Sequence, residues 1–77
     1  MYDENNLQEL GINIKLLRAR YKINQYELAQ ALEISQTHMS NIESGRVQIN
    51  LRLLLRAANF FHCKLDDFFE IEDFFRG

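Results

Sequence analysis

An all-α fold of five short helices is predicted for this chain, and three observations carry the prediction. No proline and only three glycines occur in 77 residues, so little in the chain interrupts helical runs. Apolar residues recur three or four apart in successive segments, the period of a helix with one buried face. Between those segments stand residues that start or stop helices. A hydrophobic content of 47% suits a compact domain better than a disordered chain. The chain reads as one domain, residues 1–77, near the lower size limit for a self-sufficient core, where a partner chain would help.

The first helix is predicted over about 7–21, after a polar, frayed start at residues 1–6. Its apolar stripe is Leu7, Leu10, Ile14, Leu17 and Tyr21. Gly11 interrupts it at a cost of about 1 kcal/mol in helix propensity, which points to another backbone passing close. Lys15, Arg18, Arg20 and Lys22 gather toward its C-terminal half, where cations complement the helix dipole. Ile23 then leads to Asn24, placed to staple onto Leu28.

Asn24 with Glu27 three residues later has capping-box spacing and opens the second helix, whose inner face is Leu28, Ala29 and Leu32. Glu33, Ile34 and Ser35 make the connection. Ser35 is a good N-cap for a third helix over 36–43. Only Met39 and Ile42 are apolar there, and they share a face. Ser44-Gly45 ends it, with Gly45 the natural left-handed residue. After a loop at 46–49, Asn50 caps a fourth helix running through Leu51, Leu54, Leu55, Ala58 and Phe61. A turn at 60–64 precedes a fifth helix over about 65–70, with Asp66 and Asp67 at the favourable end of its dipole. Residues 71–77 form a tail carrying Phe74 and Phe75.

The third helix leaves Gln36, Thr37, Ser40 and Asn41 on its outer face. Short, uncharged hydrogen-bonding side chains suit base edges in a major groove. The plainer alternative is an ordinary solvated face, and composition alone does not separate the two. Charge is distributed unevenly. Residues 1–9 sum to −3, residues 10–56 to +4 and residues 57–77 to −3, for a net −2. A basic middle between acidic ends would present one face to phosphate and turn the other away.

Other classes have little support. No Ser-His-Asp, paired-carboxylate or metal-ligand constellation stands at usable spacing, so no enzyme, cofactor or metal is predicted. Cys63, the one cysteine, excludes an internal disulfide. With His62 it lacks the spaced ligands zinc requires, and a small buried hydrophobe at a helix end is the better reading. Neither a leader nor a membrane-length apolar run is evident, which predicts a cytosolic protein.

Leu17-Arg18, Gln25, Glu27-Leu28-Ala29, Ile34-Ser35-Gln36, Ile42-Glu43 and Gly45-Arg46 form an ordered set of motifs. They continue with Leu54, Ala57-Ala58 and Leu65-Asp66-Asp67-Phe68-Phe69. With this set, the run 10–69 resembles the phage repressor and Cro type of helix-turn-helix protein. The resemblance implies a five-helix domain with the helix-turn-helix at about 24–44, its second helix reading double-stranded DNA. By position it implies base contacts from Gln36, Thr37 and Asn41, and phosphate contacts from Gln25, His38, Ser40, Arg46, Asn50 and Arg52. It also implies an ion pair, Arg18 with Glu43. The chain departs from the family pattern at four places. Lys22 and Glu33 stand where glycine is common, each costing about 1–2 kcal/mol if left-handed. Ile49 replaces a common proline. Lys64 replaces a serine cap, weakening the start of helix five by about 1 kcal/mol.

Phe60, Phe61, Phe68, Phe69, Phe74 and Phe75 are more aromatics than the last third of a monomer can bury. Phe61, Phe68 and one neighbour fit the core. Phe60, Phe69, Phe74 and Phe75 are assigned to a homodimer interface in an acidic, Phe-rich region at about 60–77. A membrane-binding tail is disfavoured by its five acids. The leading function is a dimeric, sequence-specific transcriptional regulator, a repressor or small controller binding an inverted repeat. The alternative is a protein-binding module, such as an antitoxin or adaptor, using the Phe-rich end on a protein partner.

Overall fold

A computed structural model describes residues 4–68, and the side chains of residues 9–64, 67 and 68 within them. Leu7, Asp66, Phe69, Phe74 and Phe75, singled out above, have side chains outside that description. The described chain forms α1 (Glu4–Arg20), α2 (Gln25–Leu32), α3 (Gln36–Glu43), α4 (Leu51–Phe61) and a single 3₁₀ turn, Leu65–Phe68. α3 packs on both α1 and α2, α2 also packs on α4, and the 3₁₀ turn sits against α1 and α4.

Three helix starts follow from their caps. The side chains of Asn24, Ser35 and Asn50 accept from the backbone N–H of Glu27, His38 and Leu53 at 2.8, 3.0 and 2.9 Å. Each satisfies one of the donors a helix start leaves open. The core joins every element: Leu10, Ile14 and Leu17 of α1, Leu28, Ala29 and Leu32 of α2, Met39 and Ile42 of α3. α4 adds Leu53, Leu54, Ala57, Ala58 and Phe61, with Ile49 before it and Phe68 from the 3₁₀ turn. Ile49, standing in place of a proline, anchors the loop into the core.

Gly11 does mark a close approach. A Cβ there would run into the carbonyl of Ile42, lying 2.8 Å from its carbon. α1 and α3 therefore cross almost backbone to backbone.

Four expectations are corrected. α1 begins at Glu4, so residues 4–6 are helical rather than frayed. Tyr21 is not core. The residue is 49% exposed, and its ring stacks on Phe61 at 5.9 Å. Leu51 and Leu55 are 63% and 46% exposed, while Leu53 and Ala57 are buried. α4 turns its 53–54–57–58–61 stripe inward, leaving the other two leucines on its flank, one turn apart. Among the described residues there are four α-helices rather than five. Lys64 has no acceptor with which to cap a helix. Its own N–H is held by Asp67 Oδ2 at 3.0 Å, and the described chain makes only one 3₁₀ turn. The Asn13 side chain secures that turn, donating from Nδ2 to the Phe68 carbonyl at 2.6 Å.

All four helices end in the same way. Lys22, Glu33, Gly45 and His62 adopt left-handed φ values of 57°, 60°, 80° and 55°. At each, the next residue's N–H returns to a carbonyl five residues back: Ile23 to Arg18, Ile34 to Ala29, Arg46 to Asn41 and Cys63 to Ala58, each at 3.0 Å. This is the Schellman motif. Ile23, Ile34 and Cys63 then pack against the core. Three of the four turns keep the glycine conformation without the glycine. Lys22→Gly and His62→Gly are therefore each expected to stabilise the fold by about 1 kcal/mol. Thermal unfolding should rise by about 4–8 °C for each. A fall in either would contradict the left-handed caps. Glu33→Gly should gain less, because Glu33 also pairs with Arg56 at 2.8 Å.

Candidate nucleic-acid interface

α2 and α3 are eight residues each, too short to persist alone in water. Packing must hold them. Met39 and Ile42, both fully buried, draw α3 onto the core. Gln36, Thr37, His38 and Ser40 are left exposed and Asn41 half-buried.

A chain of polar contacts fixes the orientation of α3. Arg18 grips Glu43 with two parallel bonds, Nε to Oε2 at 2.8 Å and Nη2 to Oε1 at 2.9 Å. Its Nη1 donates to the Ile23 carbonyl at 2.9 Å. Gln25 Nε2 donates to Glu43 Oε1 at 3.1 Å, and Gln25 Oε1 accepts from Gln36 Nε2 at 3.3 Å. The Glu43 side chain is 2% exposed and that of Arg18 15%. A carboxylate at a helix C-terminus meets the wrong end of the dipole, and the bidentate guanidinium compensates for it. Gln36 and Glu43 are seven residues apart, so they lie on one face of α3. Gln25, opening α2, spans them both.

The remaining positions surround this frame. Arg46 and Arg52 are exposed. Asn50 commits its Oδ1 to the α4 cap, leaving its amide nitrogen as a donor. Gln25, assigned from sequence to phosphate, has its side chain engaged with Glu43 and Gln36. Phe60 is half-buried, edge-to-face with Phe61 at 5.1 Å. The sequence reading missed two residues that brace the frame. Asn13 is one. Arg56 is the other, donating from Nη1 to the Leu32 carbonyl at 2.9 Å and so pinning the end of α2 to α4. Its basic character on a largely apolar helix was the available signal.

Burial pushes the Cys63 thiol above its usual pKa, and the nearby Asp67 carboxylate adds to the effect. A thiol held protonated is a poor nucleophile and a poor metal ligand. Among the described residues no group of three or more His, Cys, Asp or Glu could hold a metal ion. None of their helices is long and apolar enough to cross a membrane.

Two short helices at a tight turn, the second clamped through its last residue to α1, define a helix-turn-helix module. The chain matches the helix-turn-helix family over residues 14–68 and belongs to it, in the branch typified by phage repressor and Cro proteins. An uncharacterized HTH-type transcriptional regulator of Methanocaldococcus jannaschii is 35% identical over 60 residues, covering 78% of this chain and 91% of that protein. Two uncharacterized HTH-type transcriptional regulators of Archaeoglobus fulgidus are 30% and 28% identical over 60 residues. Each match covers 78% of this chain, with 86% and 84% of those proteins. No solved structure matches.

Proposed function

We propose that this chain is a sequence-specific DNA-binding transcriptional regulator acting as a dimeric repressor or controller at an inverted repeat. One observation carries the reading. Exposed Gln36, Thr37 and Ser40, with half-buried Asn41, are uncharged hydrogen-bonding groups on a helix whose orientation is locked by the Arg18–Glu43–Gln25–Gln36 chain. A rigid reader with adaptable ends is what direct readout requires. Gln36, Thr37 and Asn41 read bases. Gln36 keeps its Oε1 for an adenine amino group, and the Thr37 methyl suits a thymine methyl. His38, Ser40, Arg46, Arg52 and the Asn50 amide hold phosphates on either side. Gln25 contributes through the backbone N–H groups that open α2 and through its remaining amide hydrogen.

A two-fold dimer would set two copies of α3 about 34 Å apart, one DNA turn. The exposed Leu51 and Leu55 on the flank of α4 support self-association there.

Selection from a random duplex pool tests the proposal. An enriched inverted repeat with half-sites one turn apart is expected, and a folded protein that enriches nothing would refute it. On the selected site, Gln36→Ala and Asn41→Ala should each lose about 1–3 kcal/mol and relax the preference at one position. Arg46→Ala should weaken all sequences alike and lower the salt dependence. Equal losses on selected and random DNA for Gln36→Ala would remove it from the base contacts.

A further inference from the structure

A groove of about 240 Å³ opens between the C-terminal ends of α1 and α4, lined by Tyr21, Ile23, Phe60, Phe61 and His62. Its walls are apolar and aromatic. It is smaller than the range of about 300–1,000 Å³ typical of ligand pockets, a size for one or two side chains rather than a cofactor. Of the contacts that orient α3, one reaches a lining residue, the Arg18 Nη1 bond to the Ile23 backbone carbonyl, and it leaves the Ile23 side chain to the groove.

The chain itself supplies an occupant. Phe61, which forms one wall, packs edge-to-face on Phe68 at 6.5 Å, and Phe68 is the last described residue. Nine further residues follow, 69–77, with Phe69, Ile71, Phe74 and Phe75 interspersed among Glu70, Glu72 and Asp73. Phe74 lies six residues beyond Phe68, so chain length alone allows a reach of up to about 20 Å. The whole fold measures 29 × 26 × 18 Å, so the groove is within easy reach. Charge agrees. Exposed Lys22 interrupts the lining residues between Tyr21 and Ile23, and exposed Lys64 follows His62 by two positions. Acids flanking the phenylalanines would meet cations at the rim. A short tether also gives a millimolar effective concentration, which favours the chain's own segment over that of another copy.

We infer that the Phe74–Phe75 pair of the C-terminal segment seats in the groove between α1 and α4 of its own chain. This moves both residues from the dimer surface to the groove, and leaves the α4 flank to the second copy. It stands or falls independently of the operator.

Nuclear Overhauser contacts in the full-length protein test it. Ring protons of Phe74 or Phe75 should contact the Ile23 methyls, and those contacts should vanish in an isotope-filtered experiment on mixed labelled and unlabelled protein. No contact, or contact only between copies, overturns the inference. Phe74→Ala/Phe75→Ala should lower the melting temperature by about 5–10 °C and raise binding of a hydrophobic dye several-fold. An unchanged melting temperature and dye signal would overturn it too.

Discussion

Gly11→Ala is expected to cost about 3 kcal/mol or more, a large loss for the addition of one carbon. Overpacking a core usually costs about 1–3 kcal/mol because side chains can shift. Here the added carbon meets the Ile42 backbone carbonyl, and the Ile42 Cγ2 at 3.2 Å as well. That carbonyl also accepts the Gly45 N–H at 3.1 Å, so turning it away would break the bond that closes the end of α3. Relief requires α1 and α3 to separate, which would also part Met39 and Ile42 from the core. A domain of this length has a total stability of about 4–11 kcal/mol, so the variant should be largely unfolded at 37 °C or melt well below the parent. Circular dichroism on heating decides the matter. A melting point within a few degrees of the parent would mean that the helices do not cross as closely as described.

Arg18→Met carries the second large effect. It leaves the Glu43 carboxylate, 2% exposed, with the Gln25 amide as its remaining partner among the observed bonds. Removing one partner of a buried pair typically costs about 3–5 kcal/mol, because the other charge stays desolvated. The pair itself adds little net stability, since burying both charges offsets their attraction. Arg18→Met/Glu43→Leu should therefore recover most of the loss. Urea unfolding of the two single variants and the double variant measures the coupling. A cost below about 1 kcal/mol for Arg18→Met would place the pair among solvent-screened surface bridges. The double variant should keep its fold yet bind the selected DNA less well, because Gln25 would lose the Glu43 carboxylate that positions it beside Gln36.

Much of this architecture is legible in local sequence. Asn24, Ser35 and Asn50 announce helix starts because capping depends only on a side chain and a backbone N–H three residues on. Gly11 is legible as a close approach because a helix rarely accepts glycine without reason. The inward face of α4 is not. Leu51, Leu53, Leu54 and Leu55 offer several apolar stripes, and only packing against α2 and Phe68 selects one. The 3₁₀ turn in place of a fifth helix could be suspected from Lys64 but not concluded, and nothing about His62 signals a left-handed cap. Asn13 escaped notice because its partner is a backbone carbonyl far along the chain. At the candidate site, residue types point to the outer face of α3. The engagement of Gln25 depends on where three helices meet, which no local pattern records.

The Asn13–Phe68 bond joins positions 55 residues apart. Closing a loop costs chain entropy that rises by about 0.6 kcal/mol per doubling of its length, and a hydrogen bond returns only about 1 kcal/mol net. α2 and α3 meet across three residues and face almost none of that cost. Assembly is therefore ordered, with neighbouring helices pairing early and the two ends of the described fold joining last. During synthesis α1 waits for its final neighbour until the 3₁₀ turn has emerged, and the helix-turn-helix pair gains its full packing only when that scaffold closes.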